Sequence, residues 1–238
     1  MSRYVVQAGW SDVPHLTEQD KKELIDSLHP HQRDARTKGI PSLGAGAIYP
    51  VQEEDVTCEP FRIPEHFAKV YGLDVGWKKT AAIWGAWDRD SDIIYCYSEH
   101  YRGQAEPSIH ASAVKARGKW IPGNIDWAGS NQSNGDRIMT LYEDEGLNLF
   151  KANKAVEAGL LEVYQRLSTG RLKLFSTLQH TFIEYRIYRR SEKGKIVKEN
   201  DHLMDALRYL VMGLENASIK PIKTPEVNVV VGDSIAGY

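Results

Sequence analysis

A short apolar stretch with a single carboxylate, YGLDVGW at residues 71–77, constrains the fold of this chain more than any other feature. Apolar and β-prone residues flank it on both sides, so we predict a buried strand with Asp74 near its end. A buried carboxylate is costly unless it is paired or holds a cation. The alternative is that Asp74 only shapes a turn, because Asp-x-Gly is common in turns. Further carboxylates aimed at the same place would favour the cation site.

Length and composition limit the classes of protein to consider. The chain has 238 residues, 42% of them apolar, which suffices for one large domain or two small ones. Its formal net charge is −2, so any contact with nucleic acid has to come from a local basic patch. The two cysteines have no zinc-site spacing, which fits a reducing cytosol. No signal peptide is evident and no apolar run approaches about 18 residues, so we expect no membrane span.

The sequence divides into three regions. Residues 1–60 contain a predicted strand at 3–10, a mostly polar helix at 18–28, and then widely spaced Pro and Gly residues. This spacing indicates an extended connection rather than a core. We therefore predict a linker or the tail of a preceding domain at 1–60, one folded domain at 61–215, and a flexible C-terminal tail at 216–238.

The middle region has the pattern of a mixed α/β fold. Three strand-like runs at 69–75, 81–88 and 92–102 read as an antiparallel meander, because a polar turn separates the second from the third. Alternating helices and strands follow, with helices predicted at 107–116, 135–145, 155–168, 179–187 and 201–214, strands at 120–127, 147–152 and 171–175, and a charged hairpin at 189–197. This pattern predicts a mixed central sheet flanked by helices. An opening meander argues against a pure Rossmann or TIM-barrel arrangement.

Four aspartates form the candidate site. Asp74 and Asp126 lie at or near the ends of predicted strands, while Asp201 opens the last helix and Asp205 follows one turn later. Residues four apart share one helical face, so Asp201 and Asp205 can point the same way. Oxygen-rich sites favour Mg²⁺ or Mn²⁺. Two such ions roughly 3.5–4 Å apart can activate water and stabilise the leaving oxygen of a phosphodiester.

Each of these residues also has a purely structural interpretation. Asp201 is a good helix N-cap by itself, Asp126 could be a turn residue, and Asp205 could be half-exposed on its helix. His202, beside Asp201, could touch the metal shell or simply be partly exposed.

A basic segment near the C-terminal helix is the candidate DNA contact. Residues 186–198 carry six cations against one acid, and Lys78 and Lys79 follow the Asp74 strand directly. Lys and Arg contacts with phosphates supply affinity that does not depend on sequence. The alternative is a solvated hairpin. The candidate DNA-binding residues are Lys78, Lys79, Arg186, Arg189, Arg190, Lys193 and Lys195.

Three motifs together resemble the C-terminal nuclease domain of tailed-phage large terminase subunits. They are GLDVG at 72–76, DWAG at 126–129 and NDHLMDALRY at 200–209, of which the last is the most specific. Segments WSDVPHL at 10–16 and GAGAIYP at 44–50 resemble the connection after the packaging ATPase of such proteins. The resemblance covers roughly residues 40–215. It is nearest to the headful-packaging type of short-tailed Salmonella and Shigella phages.

This resemblance implies an RNase H-like fold and a two-metal endonuclease that cuts concatemeric viral double-stranded DNA at the start and end of genome packaging. It implies that Asp74 and Asp126 are catalytic metal ligands and that Asp201 stands where the family has its third acidic residue. Asp205 is a further acidic position that binds metal or positions water. The division of roles between Asp201 and Asp205 stays open at this stage.

The resemblance also implies partners. The chain has no Gly-x-x-x-x-Gly-Lys-Ser/Thr loop, so we expect the ATP motor to be absent and the chain to be a separated nuclease fragment beginning at an introduced Met1. Expected partners are double-stranded DNA, the ATPase domain of the full-length chain, the small terminase subunit and the portal protein. The expected location of this protein is the host cytoplasm, outside the mature virion. The alternatives are a junction resolvase or transposase-like enzyme, a portal-docking module with little activity, and a sugar-kinase-like ATPase, which would need glycine-rich phosphate loops.

Overall fold

A seven-stranded sheet positions the candidate site. The computed structural model of this protein describes residues 17–27, 46–126, 132–191 and 194–221. Within these ranges the strands are β1 (Thr57–Cys58), β2 (Ala68–Asp74), β3 (Thr80–Asp88), β4 (Ile93–Arg102), β5 (Gly123–Ile125), β6 (Leu149–Lys151) and β7 (Leu172–Phe175).

The strand order is β1-β7-β4-β3-β2-β5-β6, and the sheet is mixed. Strands β2, β3 and β4 pair antiparallel as a meander, whereas β1, β5, β6 and β7 join by parallel pairing. The polar turn predicted between β3 and β4 is present: Ser91 Oγ donates to Asp88 Oδ2 at 2.6 Å, and Asp92 adopts a φ of 54°. This is the predicted mixed sheet, with the meander at its centre.

Helices cover both faces of the sheet. The described helices are α1 (Glu18–Ser27), α2 (Glu53–Val56), α3 (Pro107–Lys115), α4 (Gln132–Asp144), α5 (Val156–Ser168), α6 (Gln179–Ile187) and α7 (His202–Met212), followed by a 3₁₀ turn at Leu214–Asn216, and α3 to α7 pack on the faces of the sheet. Apolar residues on one face of β2 and β3 pack with α5, α6 and α7, and those on the other face pack with α3 and α4. Because both faces are buried, these strands are almost continuously apolar rather than alternating.

Residues 46–58, which the sequence places in the linker, contact this core. Tyr49 and Val56 are buried in the main apolar cluster, and β1 pairs with β7 at the edge of the sheet. The predicted helix at 18–28 is observed at Glu18–Ser27. The predicted strand at 3–10 and most of the C-terminal tail lie outside the described residues. No helix in the described ranges is both long and apolar enough to cross a bilayer.

Candidate active site

Asp74 and Asp126 occupy neighbouring positions because β2, which ends at Asp74, and β5, which ends just before Asp126, are parallel neighbours. Leu73 and Ile125 are register partners in β2 and β5, and the Asp126 N–H donates to the Leu73 carbonyl at 3.0 Å. The carboxyl ends of both strands therefore meet at one edge of the sheet, here called the catalytic edge. The remainder of the DWAG motif, after Asp126, lies outside the described residues.

Helix α7 brings two further carboxylates to the catalytic edge. It crosses β2 at Gly72, where a Cβ atom would lie 1.8 Å from the Ala206 carbonyl oxygen and 2.9 Å from the Leu210 nitrogen. Only glycine permits this approach, so the first turn of α7 packs against the end of β2. Asp201 is the N-cap residue and Asp205 lies in the first turn. Asn200, just before them, adopts a φ of 51°, a left-handed conformation that Asn tolerates better than most residues.

The structural alternatives for Asp201 and Asp205 find little support. The Asp201 side chain makes no capping hydrogen bond with α7, although the residue sits at the cap position. Asp205 is buried, with 8% of its surface exposed, rather than half-exposed. Both carboxylates are directed at charged partners instead.

Each of the four aspartates lies beside a basic side chain. The carboxylate of Asp74 accepts a hydrogen bond from His202 Nδ1 at 2.8 Å, and Lys154 Nζ lies 3.8 Å from Asp126 Oδ1. A second group lies around α7, where Lys198 Nζ is 2.9 Å from Oδ2 of both Asp201 and Asp205, and Arg208 Nη2 donates to Asp205 Oδ1 at 3.0 Å. Positive charge thus already lies between carboxylates that would otherwise repel one another.

The electrostatics of Asp74 show which carboxylates form one group. Burial raises the pKa of Asp74, and the negative charges of Asp205 and Asp126 raise it further, while the hydrogen bond from His202 opposes the shift. The same hydrogen bond is the main reason that the pKa of His202 is raised. The charges of Asp126 and Asp205 therefore both act on Asp74. Asp201 is also buried and shares Lys198 with Asp205, and both carboxylates raise the pKa of that lysine against the effect of burial.

The donor set fits a hard divalent cation. Carboxylate oxygens are the ligands that Mg²⁺ and Mn²⁺ prefer, and several carboxylates this close need positive charge between them. As the side chains stand, no three His, Cys, Asp or Glu residues in the described ranges are gathered closely enough to hold an ion. Lys198 and Arg208 are the groups that neutralise the acidic cluster in this arrangement.

Two glutamates that sequence reasoning missed support the helices behind the site. Buried Glu184 of α6 accepts a hydrogen bond from the Leu203 N–H of α7 at 2.6 Å, and burial raises its pKa. Glu99 of β4 accepts from the N–H groups of His180 and Thr181 at 2.9 Å each and so caps α6. The sequence held one sign of the role of Glu184. It lies one turn after Thr181 and next to Tyr185, on the buried side of its helix, and a buried charge needs a partner.

The predicted DNA-binding residues fall into two groups. Lys78 is exposed beside the catalytic edge, and Lys79 Nζ lies 4.4 Å from the centre of the Tyr101 ring. Arg186 and Arg190 are instead held in ion pairs, with Glu53 and Glu157 respectively, at 2.6 Å.

The predicted charged hairpin is present in its described part. Arg190 bridges to Ile196, and the Val197 N–H donates to the Arg189 carbonyl at 3.0 Å. Arg189 and Lys195 are exposed, and Lys193 lies outside the described residues.

Comparison with known proteins gives a consistent result. The family model described as Terminase RNaseH-like domain matches residues 71–214. The large terminase subunit of Salmonella phage P22 is 34% identical over 223 residues, which cover 87% of this chain and 44% of that protein. The chain thus spans less than half the length of that relative.

Solved structures agree with this match. The nuclease domain of the P22 large terminase superposes with a TM-score of 0.70 at 32% identity, covering 74% of this chain and 96% of that one. The large terminase nuclease of thermophilic phage G20c with bound magnesium gives a TM-score of 0.53 at 12% identity, covering 71% of this chain and 98% of that one. At that identity the second likeness concerns the fold alone.

Proposed function

Because this chain belongs to the terminase RNaseH-like domain family, we propose that it is the nuclease part of a large terminase subunit, a metal-dependent endonuclease of viral genome packaging. The proposed reaction is hydrolysis of phosphodiester bonds in concatemeric double-stranded viral DNA, when packaging begins and when it ends. The observation that carries this proposal is the placement of Asp74 and Asp126 at the adjacent ends of parallel strands, with Asp205 in the first turn of the helix that packs on β2.

We assign Asp74, Asp126 and Asp205 to hold divalent cations, Mg²⁺ or Mn²⁺, with two ions as the family resemblance implies. When bound, two such ions activate water and stabilise the leaving oxygen of the phosphodiester. The G20c nuclease with bound magnesium supports a divalent ion in this fold.

Asp201 takes a different place in this proposal. The negative charge of Asp205 helps to raise the pKa of Asp74, which favours Asp205 as the third ligand, with Asp201 sharing the contact with Lys198. A direct ligand role for Asp201, as the sequence motif implies, is the alternative.

The chain's own side chains prepare the site. The hydrogen bond from His202 fixes the orientation of the Asp74 carboxylate. The close packing of α7 on Gly72 holds Asp205 at the end of β2. Both contacts reduce the freedom of the ligands before a cation arrives, which lowers the cost of binding it.

DNA would lie along the catalytic edge. Lys78, Lys79, Arg189 and Lys195 are the described cations best placed for phosphate contacts, because none of them is engaged in an ion pair with an acidic side chain in the described contacts. Arg186 and Arg190 would first have to leave Glu53 and Glu157. Contacts of this kind supply affinity without base readout, which suits an enzyme that cuts many sequences.

The wider setting follows from the resemblance. We propose that residues 61–215 form the nuclease domain, and that residues from Ala47 onward also contact it. The residues before 61 would connect this domain to an ATPase domain, and residues 216–238 would form a tail. The proposed partners are the small terminase subunit and the portal protein, and the proposed location is the host cytoplasm, outside the mature virion.

Cleavage of supercoiled plasmid tests this function. Wild type, Asp74→Ala and Asp126→Ala are compared in Mg²⁺, Mn²⁺ and EDTA, with Asp90→Asn in the exposed β3–β4 turn as the matched control. We expect nicking and linearisation that need metal, vanish in both site variants and persist in the control. Cleavage of four-way junctions alone would point to a resolvase. No cleavage with any metal, together with tight binding to a portal ring, would contradict the nuclease proposal.

A further inference from the structure

Trp77 is displayed to solvent at the catalytic edge. Its side chain is 67% exposed, the largest fraction among the large apolar side chains of the described residues. It lies three residues beyond Asp74, in the connection from β2 to β3. Trp usually buries 150–250 Å² of surface and is enriched at interfaces, so an indole left in water beside the candidate site is a candidate contact for a ligand.

The backbone around Trp77 is fixed rather than loose. The Gln104 N–H donates to the Trp77 carbonyl at 2.9 Å, and the Thr80 hydroxyl donates to the Gly76 carbonyl at 3.0 Å. Gly103 approaches the same connection so closely that a Cβ would lie 2.0 Å from the Lys78 carbonyl oxygen. Two adjacent loops are thus held together, and the indole is presented from a rigid turn.

The charges around Trp77 are positive. The connection at 75–79 contains Lys78 and Lys79 and no acidic residue. Arg102 is paired with Thr80 at the end of β4, so a third cation lies at the same edge. Lys is depleted in the cores of protein–protein interfaces, whereas cations beside an exposed aromatic ring are the usual arrangement for binding a nucleic-acid strand.

We propose that Trp77 is a DNA contact that stacks on a base at an opened step next to the phosphate to be cut, while Lys78 and Lys79 hold the neighbouring phosphates. This inference rests on the proposed nuclease function and adds a base-stacking contact that does not read sequence. Stacking on an aromatic side chain tolerates every base because each base has a flat face. Apolar side chains that insert at a base step unstack it locally, and this costs least where a base is already unpaired.

Binding without metal separates this inference from cleavage. The full 238-residue chain is titrated in EDTA against two fluorescein-labelled duplexes, one perfect and one with a single unpaired base. We expect wild type to prefer the duplex with the unpaired base. We expect Trp77→Ala to lose about tenfold in affinity for that duplex, within the range that base–aromatic stacking gives, and to lose the preference. Trp77→Phe should keep most of both.

Two controls distinguish stacking from charge and from folding. Lys78→Ala should reduce the dependence of affinity on salt, by about one in the slope of log K against log salt, while keeping the preference. Trp77→Ala should leave that slope unchanged. Phe61→Ala removes another exposed aromatic ring, one that packs on Tyr95 away from the catalytic edge, and should leave DNA binding unchanged. Thermal melting checks that each variant is folded.

The results of these experiments distinguish failure of the stacking inference from failure of the nuclease proposal. If Trp77→Ala binds both duplexes as wild type does, the stacking inference is wrong, whether or not plasmid cleavage proceeds. If that variant also loses binding to the portal, Trp77 is a protein contact instead. If the Trp77-dependent preference is found but no metal supports cleavage, stacking stands and the nuclease proposal fails. The chain has six tryptophans, so DNA-induced fluorescence quenching that is lost in Trp77→Phe gives an independent signal for this one.

Discussion

The ammonium nitrogen of Lys198 lies 2.9 Å from Oδ2 of Asp205. It is equally close to Asp201, so one lysine bridges the two acidic residues of the last motif. The positive charge of a lysine in this position does part of what a metal ion would do. It neutralises carboxylates whose charged forms burial and mutual repulsion would otherwise destabilise.

Lys198→Ala should therefore make the protein depend more on divalent ions. Without Mn²⁺ we expect the variant to lose about 1 kcal/mol of unfolding free energy, a modest loss because the ammonium group is largely exposed. With Mn²⁺ the loss should shrink, so the rise in melting temperature on adding Mn²⁺ should exceed that of wild type. Lys195→Ala, in the same hairpin, is the control. An equal rise in all three proteins would show that Lys198 does not compete with the ion.

Asp74→Asn should separate stability from activity. The variant keeps an oxygen that can accept the hydrogen bond from His202 but removes a charge that burial, Asp205 and Asp126 all oppose. We expect melting in EDTA at neutral pH to rise by a few degrees. Plasmid cleavage in Mg²⁺ should fall by about 10³-fold, because a ligand of the metal is lost. A lower melting temperature would mean that the Asp74 charge stabilises the site.

Asp205→Asn and Asp201→Asn should differ. Both residues are buried and both contact Lys198, but Asp205 also contacts Arg208, and its negative charge helps to raise the pKa of Asp74. Calorimetric titration with Mn²⁺ should therefore show a loss of at least about tenfold in affinity for Asp205→Asn and a smaller loss for Asp201→Asn. The reverse order would restore Asp201 as the main third ligand.

Much of this site was accessible to sequence reasoning because local patterns specify it. The apolar run before Asp74, the short strand before Asp126 and the helical spacing of Asp201 and Asp205 each depend on neighbours in the chain. The mixed α/β fold and the family resemblance that these motifs indicated are confirmed.

What sequence reasoning could not supply depends on contacts between distant residues. The pairing of Arg186 with Glu53 joins residues far apart in the chain, so a cation proposed for DNA proved to have an acidic partner. Strand β1 has only two residues, too few for any periodic pattern, and its surroundings rich in Pro and Gly resemble a linker. Glu184 looks like one more charged helix residue until α7 is packed against it.

Glu184 should matter for the placement of α7. Glu184→Ala leaves the Leu203 N–H without its acceptor in a buried position, which typically costs about 1–3 kcal/mol. Glu184→Gln keeps an acceptor oxygen and removes a buried charge, so its loss should be smaller. Chemical denaturation in EDTA measures both, and Glu143→Ala at an exposed position of α4 serves as a control. Equal losses in the two Glu184 variants would indicate that the charge itself is needed.

The pair His100 and His110 should make stability fall in mild acid. Nε2 of His100 lies 2.9 Å from Nδ1 of His110, so one nitrogen donates and the other accepts, and a proton on both would break the contact. Burial lowers the pKa of His100 to about 4, with the charges of His110 and Arg117 adding to the effect. A histidine with a lowered folded pKa contributes stability that is complete above its unfolded pKa of about 6.5 and is lost as the pH falls from there toward 4. Because the His100 ring is partly exposed and solvent screens it, unfolding free energies at pH 7 and pH 5 in EDTA should differ by about 1 kcal/mol more in wild type than in His100→Gln. His66→Gln, at an exposed position, should behave as wild type. A pH dependence that is identical in His100→Gln and wild type would show that other groups cause it.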